Sequence, residues 1–297
     1  MHILGLNIGH NATACLLRDG KIISCVSEER FSRIKNHSGI PFKSINWILK
    51  DSKMEMKDMD MLVLDDHYTI DKYPDFGKKF VNFYKKKSFF QKRMSDIAYN
   101  SPRLYKFLKF FKKSKKNLYK IKAQLSRQLR FPLNKIAMID HHIAHSYSTC
   151  FNLPRNKKML VFTLDGEGSG VSASVNIFEN GKIKVLSRTP KEASLGYLYS
   201  TTTLYLGMKP LEHEFKVMGL APYAKEHNVS RVYDKIKNLF VIDENLGFKA
   251  RHNMIFNDLF LNKNMKFERF DCIAGAVQKL VERLTCEWVE KAIKKQA

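Results

Sequence analysis

No stretch of this 297-residue sequence reaches the run of about 18 apolar residues that a membrane-spanning helix requires. The first residues, MHILGLNIGH, have neither a basic start nor a long enough apolar stretch for a signal peptide. Cysteine is scarce and scattered: Cys15, Cys25, Cys150, Cys272 and Cys286 lie far apart and form no C-x-x-C pair. Such an odd, dispersed set argues against a disulfide framework and against a thiolate zinc site, and makes the cytoplasm the expected compartment. Acidic residues nearly vanish from one segment. Residues 72–130 hold 19 Lys or Arg against Asp75 and Asp96 alone, so a local balance of +17 accounts for most of the net charge of +23. The charge signature therefore belongs to one segment and not to the whole chain.

What is present can build a core. Apolar residues make up 44% of the chain, which excludes disorder throughout, and the length suits one large or two ordinary domains. Strands are expected at His2 to Ile8, Thr13 to Arg18 and Lys21 to Ser27, the last two joined by Asp19-Gly20, a pair that favours the type I′ hairpin turn. A helix is expected at Pro41 to Asp51 and a strand at Met61 to Leu64. The basic segment 72–130 reads as a helical, amphipathic insertion, with an apolar stripe at Leu104, Phe107, Leu108 and Phe111. Beyond it come a strand at Lys135 to Asp140, a helix at His141 to Phe151 and a strand at Met159 to Leu164. The last runs into the Gly-rich turn Gly166 to Gly170, and a hairpin turned by Asn180-Gly181 follows. An amphipathic helix from Phe270 to Lys295 ends the chain. The two hairpin regions resemble each other: Asn7 to Gly20 spans 13 positions and Asp165 to Gly181 spans 16, each with a strand, a Gly-containing turn, a strand and [DN]-G-K-I. Common hairpins can look alike by chance; a true repeat implies two similar lobes facing across a cleft.

The sharpest chemical signal is Asp140-His141-His142-Ile143-Ala144-His145. On a helix, His141 and His145 share a face and can grip one metal ion, while His142 points about 100° away. A pair at this spacing can also be merely packed or solvated. Asp165 ends the next apolar strand, where a carboxylate would complete a ligand set suited to iron or zinc. His10, in the turn Gly9-His10-Asn11, can serve as a general base or as a donor to an anion, or can be a loop histidine with no role. A third constellation, Ser194-Leu195-Gly196 through Thr203 and then Glu212 to Tyr223 with Lys216 and Gly219, does not by spacing alone point to a function.

Taken in order, G-L-N-x-G-H-N-A-T-A-C-L-L, D-H-H-I-A-H-S-Y, T-L-D-G-E-G-S-G, S-L-G-Y-L-Y and E-F-K-V-M-G-L-A-P-Y resemble the O-carbamoyltransferases of nodulation-factor and antibiotic biosynthesis. The resemblance implies an α/β, two-lobed fold of the actin, heat-shock-70 and sugar-kinase type with duplicated mixed sheets. Residues 1–155 would form the first lobe, carrying the insertion 72–130, and residues 156–297 an incomplete second lobe. It implies that carbamoyl phosphate and ATP give carbamoyl adenylate at a YrdC-like domain. The carbamoyl group then passes to a hydroxyl of a sugar or natural product. His141, His145 and Asp165 would hold a divalent metal. Gly166, Gly168, Ser169, Lys216 and Gly219 would line the nucleotide and acyl-phosphate site, and His10 would stand near the acceptor. Full members continue with a further aspartate ligand and the YrdC-like domain, so an incomplete member, inactive without its missing half or a separate YrdC-like chain, is expected. The competing readings are another ATP-dependent enzyme of the superfamily, such as a threonylcarbamoyl transferase or a kinase, and a nucleic-acid or membrane-surface module built on residues 72–130. In that segment 15 Lys outnumber 4 Arg, a face that commonly serves solubility, so nucleic acid is not the expected partner, whereas peripheral membrane contact stays open.

Overall fold

The computed structural model describes residues 1–65, 82, 86–101, 115–154 and 156–296, so the stripe expected at Leu104 to Phe111 lies outside the described residues. The strands are β1 (His2–Asn7), β2 (Thr13–Arg18), β3 (Lys21–Ser27), β4 (Met61–Asp65), β5 (Ile136–Ile139), β6 (Met159–Gly168), β7 (Val171–Glu179), β8 (Lys182–Pro190), β9 (Phe240–Ile242) and β10 (Phe248–Ala250). The helices are α1 (Glu29–Ser32), α2 (Phe42–Asp51), α3 (Phe89–Asn100), α4 (Lys115–Leu129), α5 (His141–Cys150), α6 (Leu195–Tyr205), α7 (Glu214–Leu220), α8 (Glu226–Ile236), α9 (Asp258–Asn264) and α10 (Phe270–Gln296). Two compact units result, one from the described parts of Met1–Lys79 and Phe110–Ala144, the other from those of Phe80–Lys109 and His145–Ala297.

The first unit is an α/β structure on a mixed sheet of order β3-β2-β1-β4-β5. Asp19 and Gly20 adopt φ of 50° and 78°, the two positive angles that a type I′ turn demands, and they fold β3 back on β2. The β2–β3 register slips between Leu16 and Leu17, and β3 lies at the edge of the sheet. β1, β4 and β5 pair in parallel and are apolar almost throughout, as strands covered by helices must be. Leu4, Leu6, Leu62, Leu64 and Ile136 share one core with Ile45 and Ile48 of α2 and Ile121, Leu125 and Leu129 of α4. Pro41 is the N-cap residue of α2, and the helix's free amides are met from outside: buried Glu28 accepts from the amides of Lys43 at 3.1 Å and Ser44 at 2.8 Å.

The second unit holds the antiparallel sheet β6-β7-β8 and the β9-β10 ladder. Asn180 and Gly181, at φ of 51° and 74°, repeat the turn chemistry of Asp19-Gly20. Each unit thus contains three successive antiparallel strands closed by the same kind of second turn. The Gly-rich stretch expected as a turn is mostly strand. β6 runs on to Gly168, which pairs with Val171 after a register shift at Leu164, and only Ser169 and Gly170, at φ of 55° and 77°, make the turn. The extra residues of the second copy therefore lengthen its strands. β7 is central and buried along nearly its whole length, and α10 supplies Ile273, Val277, Leu280, Leu284 and Trp288 to the core beneath. The basic segment contributes α3 here: Lys92 pairs with Asp258 at 2.5 Å, Asp96 accepts from the Asn253 amide at 2.8 Å, and Tyr99 accepts from the Ala250 amide at 3.2 Å. Among the described residues no helix is long and apolar enough to cross a membrane.

Candidate functional site

The site is assembled at the end of apolar strands. β5 ends at Ile139, and the next residue, Asp140, accepts the Ile143 amide on its carboxylate at 3.0 Å and the Ala144 amide on its carbonyl at 2.8 Å. This capping starts α5 at His141. Helical geometry then sets His141 and His145 on one face, while His142 turns away and is buried, its ring edge-on to that of His141 at 5.6 Å.

Each of the two histidines faces a carboxylate. His141 Nδ1 lies 3.2 Å from Asp65 Oδ2, both side chains largely buried. An ionised carboxylate only accepts, so this contact puts a proton on Nδ1, and in the neutral ring Nε2 is then the nitrogen that can ligate a metal. One turn along, His145 Nε2 lies 3.5 Å from Asp165 Oδ2, while Asp165 Oδ1 accepts the Gly166 amide at 2.6 Å. Donor atoms of His141, His145 and Asp165 all lie within 4.8 Å of one another. Two imidazoles and a carboxylate, one imidazole already oriented by a buried acid, fit a divalent ion such as iron or zinc.

α5 is fixed to the sheet by buried polar side chains. Asn176 Nδ2, on β7, is 3.2 Å from Ser146 Oγ of α5 and 2.7 Å from Ser174 Oγ, which in turn is 2.6 Å from Thr163 Oγ1 of β6. The strand bearing Asp165 and the helix bearing His145 are thus tied to one central strand. The other side of Asp165 is set by α6. Its N-cap Ser194 accepts the Tyr197 amide at 3.0 Å and donates to the Gly166 carbonyl at 2.7 Å. Glu167 accepts from Lys191 and from the Tyr197 hydroxyl, each at 2.6 Å. Gly196 abuts Gly166 so closely that a Cβ on it would stand 2.7 Å from Gly166 Cα. The S-L-G-Y motif is explained by this contact and cap.

The remaining expected residues are distributed. Gly166, Gly168 and Ser169 continue directly from Asp165, and the Gly166 amide is already committed to the Asp165 carboxylate. Lys216 and Gly219 are exposed on α7. This helix is tethered to α6 through Glu214, which accepts from Ser200 Oγ at 3.0 Å and from the Leu211 amide at 2.6 Å. His10 sits in the turn after β1, in the first unit. Asn7 braces that turn by donating to the His10 carbonyl at 3.1 Å and accepting the Gly9 amide at 2.8 Å. Asn11 Nδ2 approaches His10 Nδ1 at 3.3 Å, a contact that leaves the proton on Nε2.

Asp65, Ser146, Asn176 and Glu167 were not singled out in the sequence, and Ser194 was named only as the start of a stretch without an assigned role. For Asp65 a signal existed. Met61 to Asp65, Ile136 to Asp140 and Met159 to Asp165 are all apolar runs closed by Asp, and Asp65 pairs with Ile139 across parallel strands, so the first two carboxylates stand at neighbouring carboxyl ends.

Among known proteins, the chain is 28% identical over 295 residues to an uncharacterised protein of Methanocaldococcus jannaschii, covering 97% of this chain and 47% of that protein. It is 25% identical over 283 residues to nodulation protein NolNO of Sinorhizobium fredii, covering 93% and 37%. The chain thus spans less than half the length of these curated relatives. A solved structure similar to it is the activator of 2-hydroxyisocaproyl-CoA dehydratase from Clostridium difficile, at 9% identity and a TM-score of 0.42, covering 100% of this chain and 76% of that one. The family described as Carbamoyltransferase N-terminus matches residues 2–296, and the chain belongs to it.

Proposed function

We propose that the chain forms the metal- and phosphate-holding part of an O-carbamoyltransferase. In this reading a carbamoyl group passes from carbamoyl adenylate, made from carbamoyl phosphate and ATP, to a hydroxyl of a sugar or natural product. The observation that carries it is the convergence of His141, His145 and Asp165 in a chain of this family. A bound iron or zinc ion would supply Lewis-acid neutralisation of charge at a phosphoryl oxygen. Asp65 keeps His141 in its ligating tautomer, and the Gly166 amide keeps one carboxylate oxygen of Asp165 turned away from His145. Gly168 and Ser169 line the acyl-phosphate site at the end of β6, and the Lys216 ammonium offsets phosphate charge where Gly219 lets a nucleotide approach. His10 handles the proton of the acceptor hydroxyl as that oxygen attacks the carbamoyl carbon and AMP leaves. No protein nucleophile is needed.

Metal binding is tested by elemental analysis and by titration of the chelator-treated chain with Zn(II) and Fe(II). One ion per chain is expected, lost in His145→Ala and Asp165→Ala, with Asp65→Asn weakening the affinity by about 10–100-fold. Unchanged stoichiometry in the two ligand variants would overturn the metal assignment. Transfer is tested with carbamoyl phosphate, ATP and hydroxylated acceptors. Turnover is expected when the remaining half of a relative, or a YrdC-like chain, is added as a second polypeptide, and not from this chain alone; full turnover by the chain alone would refute that division of labour.

A further inference from the structure

The β2–β3 hairpin places two thiols opposite each other. Cys15 and Cys25 are direct partners in its register. The Glu28 amide donates to the Ala12 carbonyl at 2.8 Å, which marks that pair as hydrogen-bonded. The alternation of an antiparallel ladder then makes Thr13–Ser27 and Cys15–Cys25 the closer, non-hydrogen-bonded kind of pair. Thr13 and Ser27 behave accordingly, their hydroxyl oxygens meeting at 3.1 Å. Cα atoms in such a pair stand about 4.5 Å apart, within the span of about 4.4–6.8 Å that a disulfide bridges. Ala14 and Leu16, on either side of Cys15, are fully buried in the core, so the thiols lie on the opposite face, where Cys25 is exposed and Cys15 half-buried. The row continues from Cys15 to Gly5 on β1, which has no side chain to crowd an incoming group.

The two sulfurs are not equivalent. Cys25 is the exposed one, and the neighbouring Cys15 holds its thiol below the ordinary thiol range, while Cys25 and burial push the Cys15 thiol up. The exposed sulfur is therefore the one an incoming disulfide meets and the nucleophile of the first step, and the half-buried one acts in the second.

We propose that Cys15 and Cys25 form a dithiol exchange site for low-molecular-weight disulfides of the glutathione class, closing to a cross-strand disulfide. The Cys25 thiolate attacks one sulfur of the oxidant, the oxidant's S–S bond breaks, and the first thiolate leaves to take a proton from water. Cys15 then gives its proton to solvent and attacks Cys25 Sγ; the mixed disulfide breaks and the second thiol departs. The pair is oxidised by two electrons and one disulfide is reduced to two thiols. Cys150 and Cys272 are buried, and exposed Cys286 lies on helix α10 and not in a strand ladder, so a cross-strand disulfide is not expected at those positions.

The test uses the full reduced chain, equilibrated with oxidised and reduced glutathione at graded ratios, alkylated, digested and mapped by mass spectrometry. A peptide pair linked through Cys15 and Cys25 is expected to accumulate as the ratio rises, while Cys286 stays alkylated. Cys15→Ser should trap glutathione on Cys25, and Cys25→Ser should leave Cys15 reduced at the same exposure. The parent chain alone decides the matter should a variant not fold. A Cys25–glutathione adduct that never resolves on Cys15, a bridge from Cys25 to any other cysteine, or exchange at Cys25 no faster than at Cys286 would each overturn the proposal.

Discussion

At the scale of single residues, the candidate centre depends on an atom that is absent. A methyl group on Gly196 would meet Gly166 Cα at 2.7 Å, Gly166 N at 2.8 Å and the Asp165 carbonyl at 3.0 Å, all backbone and none able to rotate aside. Gly196→Ala is therefore expected to cost about 1–3 kcal/mol through overpacking, and to weaken metal binding because the strand it pushes carries Asp165. Chemical denaturation and metal titration check this; a variant with the parent's midpoint and affinity would contradict it. Ser194→Ala, which removes a cap without a clash, serves as the comparison at about 1 kcal/mol. His141 and His145 could be read from the sequence because helical spacing alone aligns them. Asp65 could not be paired with His141, since 76 positions separate them and nothing local links the two. The glycine of S-L-G-Y was visible only as part of a motif, because the physical reason for it lies on another strand.

At the scale of elements, the hairpins were legible because D-G and N-G turns dictate backbone angles locally. The length of β6 was not, since glycines that look like a turn can continue a strand when a partner, here Val171, accepts the register. α3 inverts the usual reading of an amphipathic helix. Its buried side holds Lys92, satisfied by Asp258 at 166 positions' distance, whereas Phe89, Phe90, Met94 and Ile97 are exposed. α10 follows the ordinary rule. Trp288 is buried, donates to the Leu246 carbonyl at 2.7 Å, and has the rings of Phe162 and Phe248 at 5.1 and 5.0 Å. Trp288→Ala is expected to destabilise the second unit by about 3–5 kcal/mol, seen as a lower urea midpoint. A loss within about 0.5 kcal/mol, the size of an ordinary surface substitution, would show that α10 is not the keystone of that core.

At the scale of the whole molecule, the excess of positive charge sets the background for any dependence on pH. Against it, one acid should stand out. The Arg269 guanidinium, at 3.1 and 2.9 Å, holds the Asp271 carboxyl below the usual carboxylate range despite its burial, with help from the Cys272 amide at 2.9 Å. A depressed folded value means that the contribution is present in full above about pH 4, the unfolded value, and is lost as pH falls through the folded one. The stability gap between the parent and Asp271→Asn should thus be constant near neutrality and close in acid, because charge repulsion acts on both alike. A gap that persists unchanged to the lowest accessible pH would exclude Asp271 as the titrating group. The repeated hairpin was legible because its turns are local, while the placement of α3 with the second unit rests on pairs too distant in sequence to be read. The register slip in the β2–β3 hairpin has one more effect. It breaks the alternation of β3 so that Ile22 and Ile23, neighbours in sequence, are both exposed at 54% and 44% along an open sheet edge. A straight strand with those side chains would be a template for another copy to add to; the kink deprives an incoming chain of continuous pairing, and so acts as a guard against fibrous self-assembly.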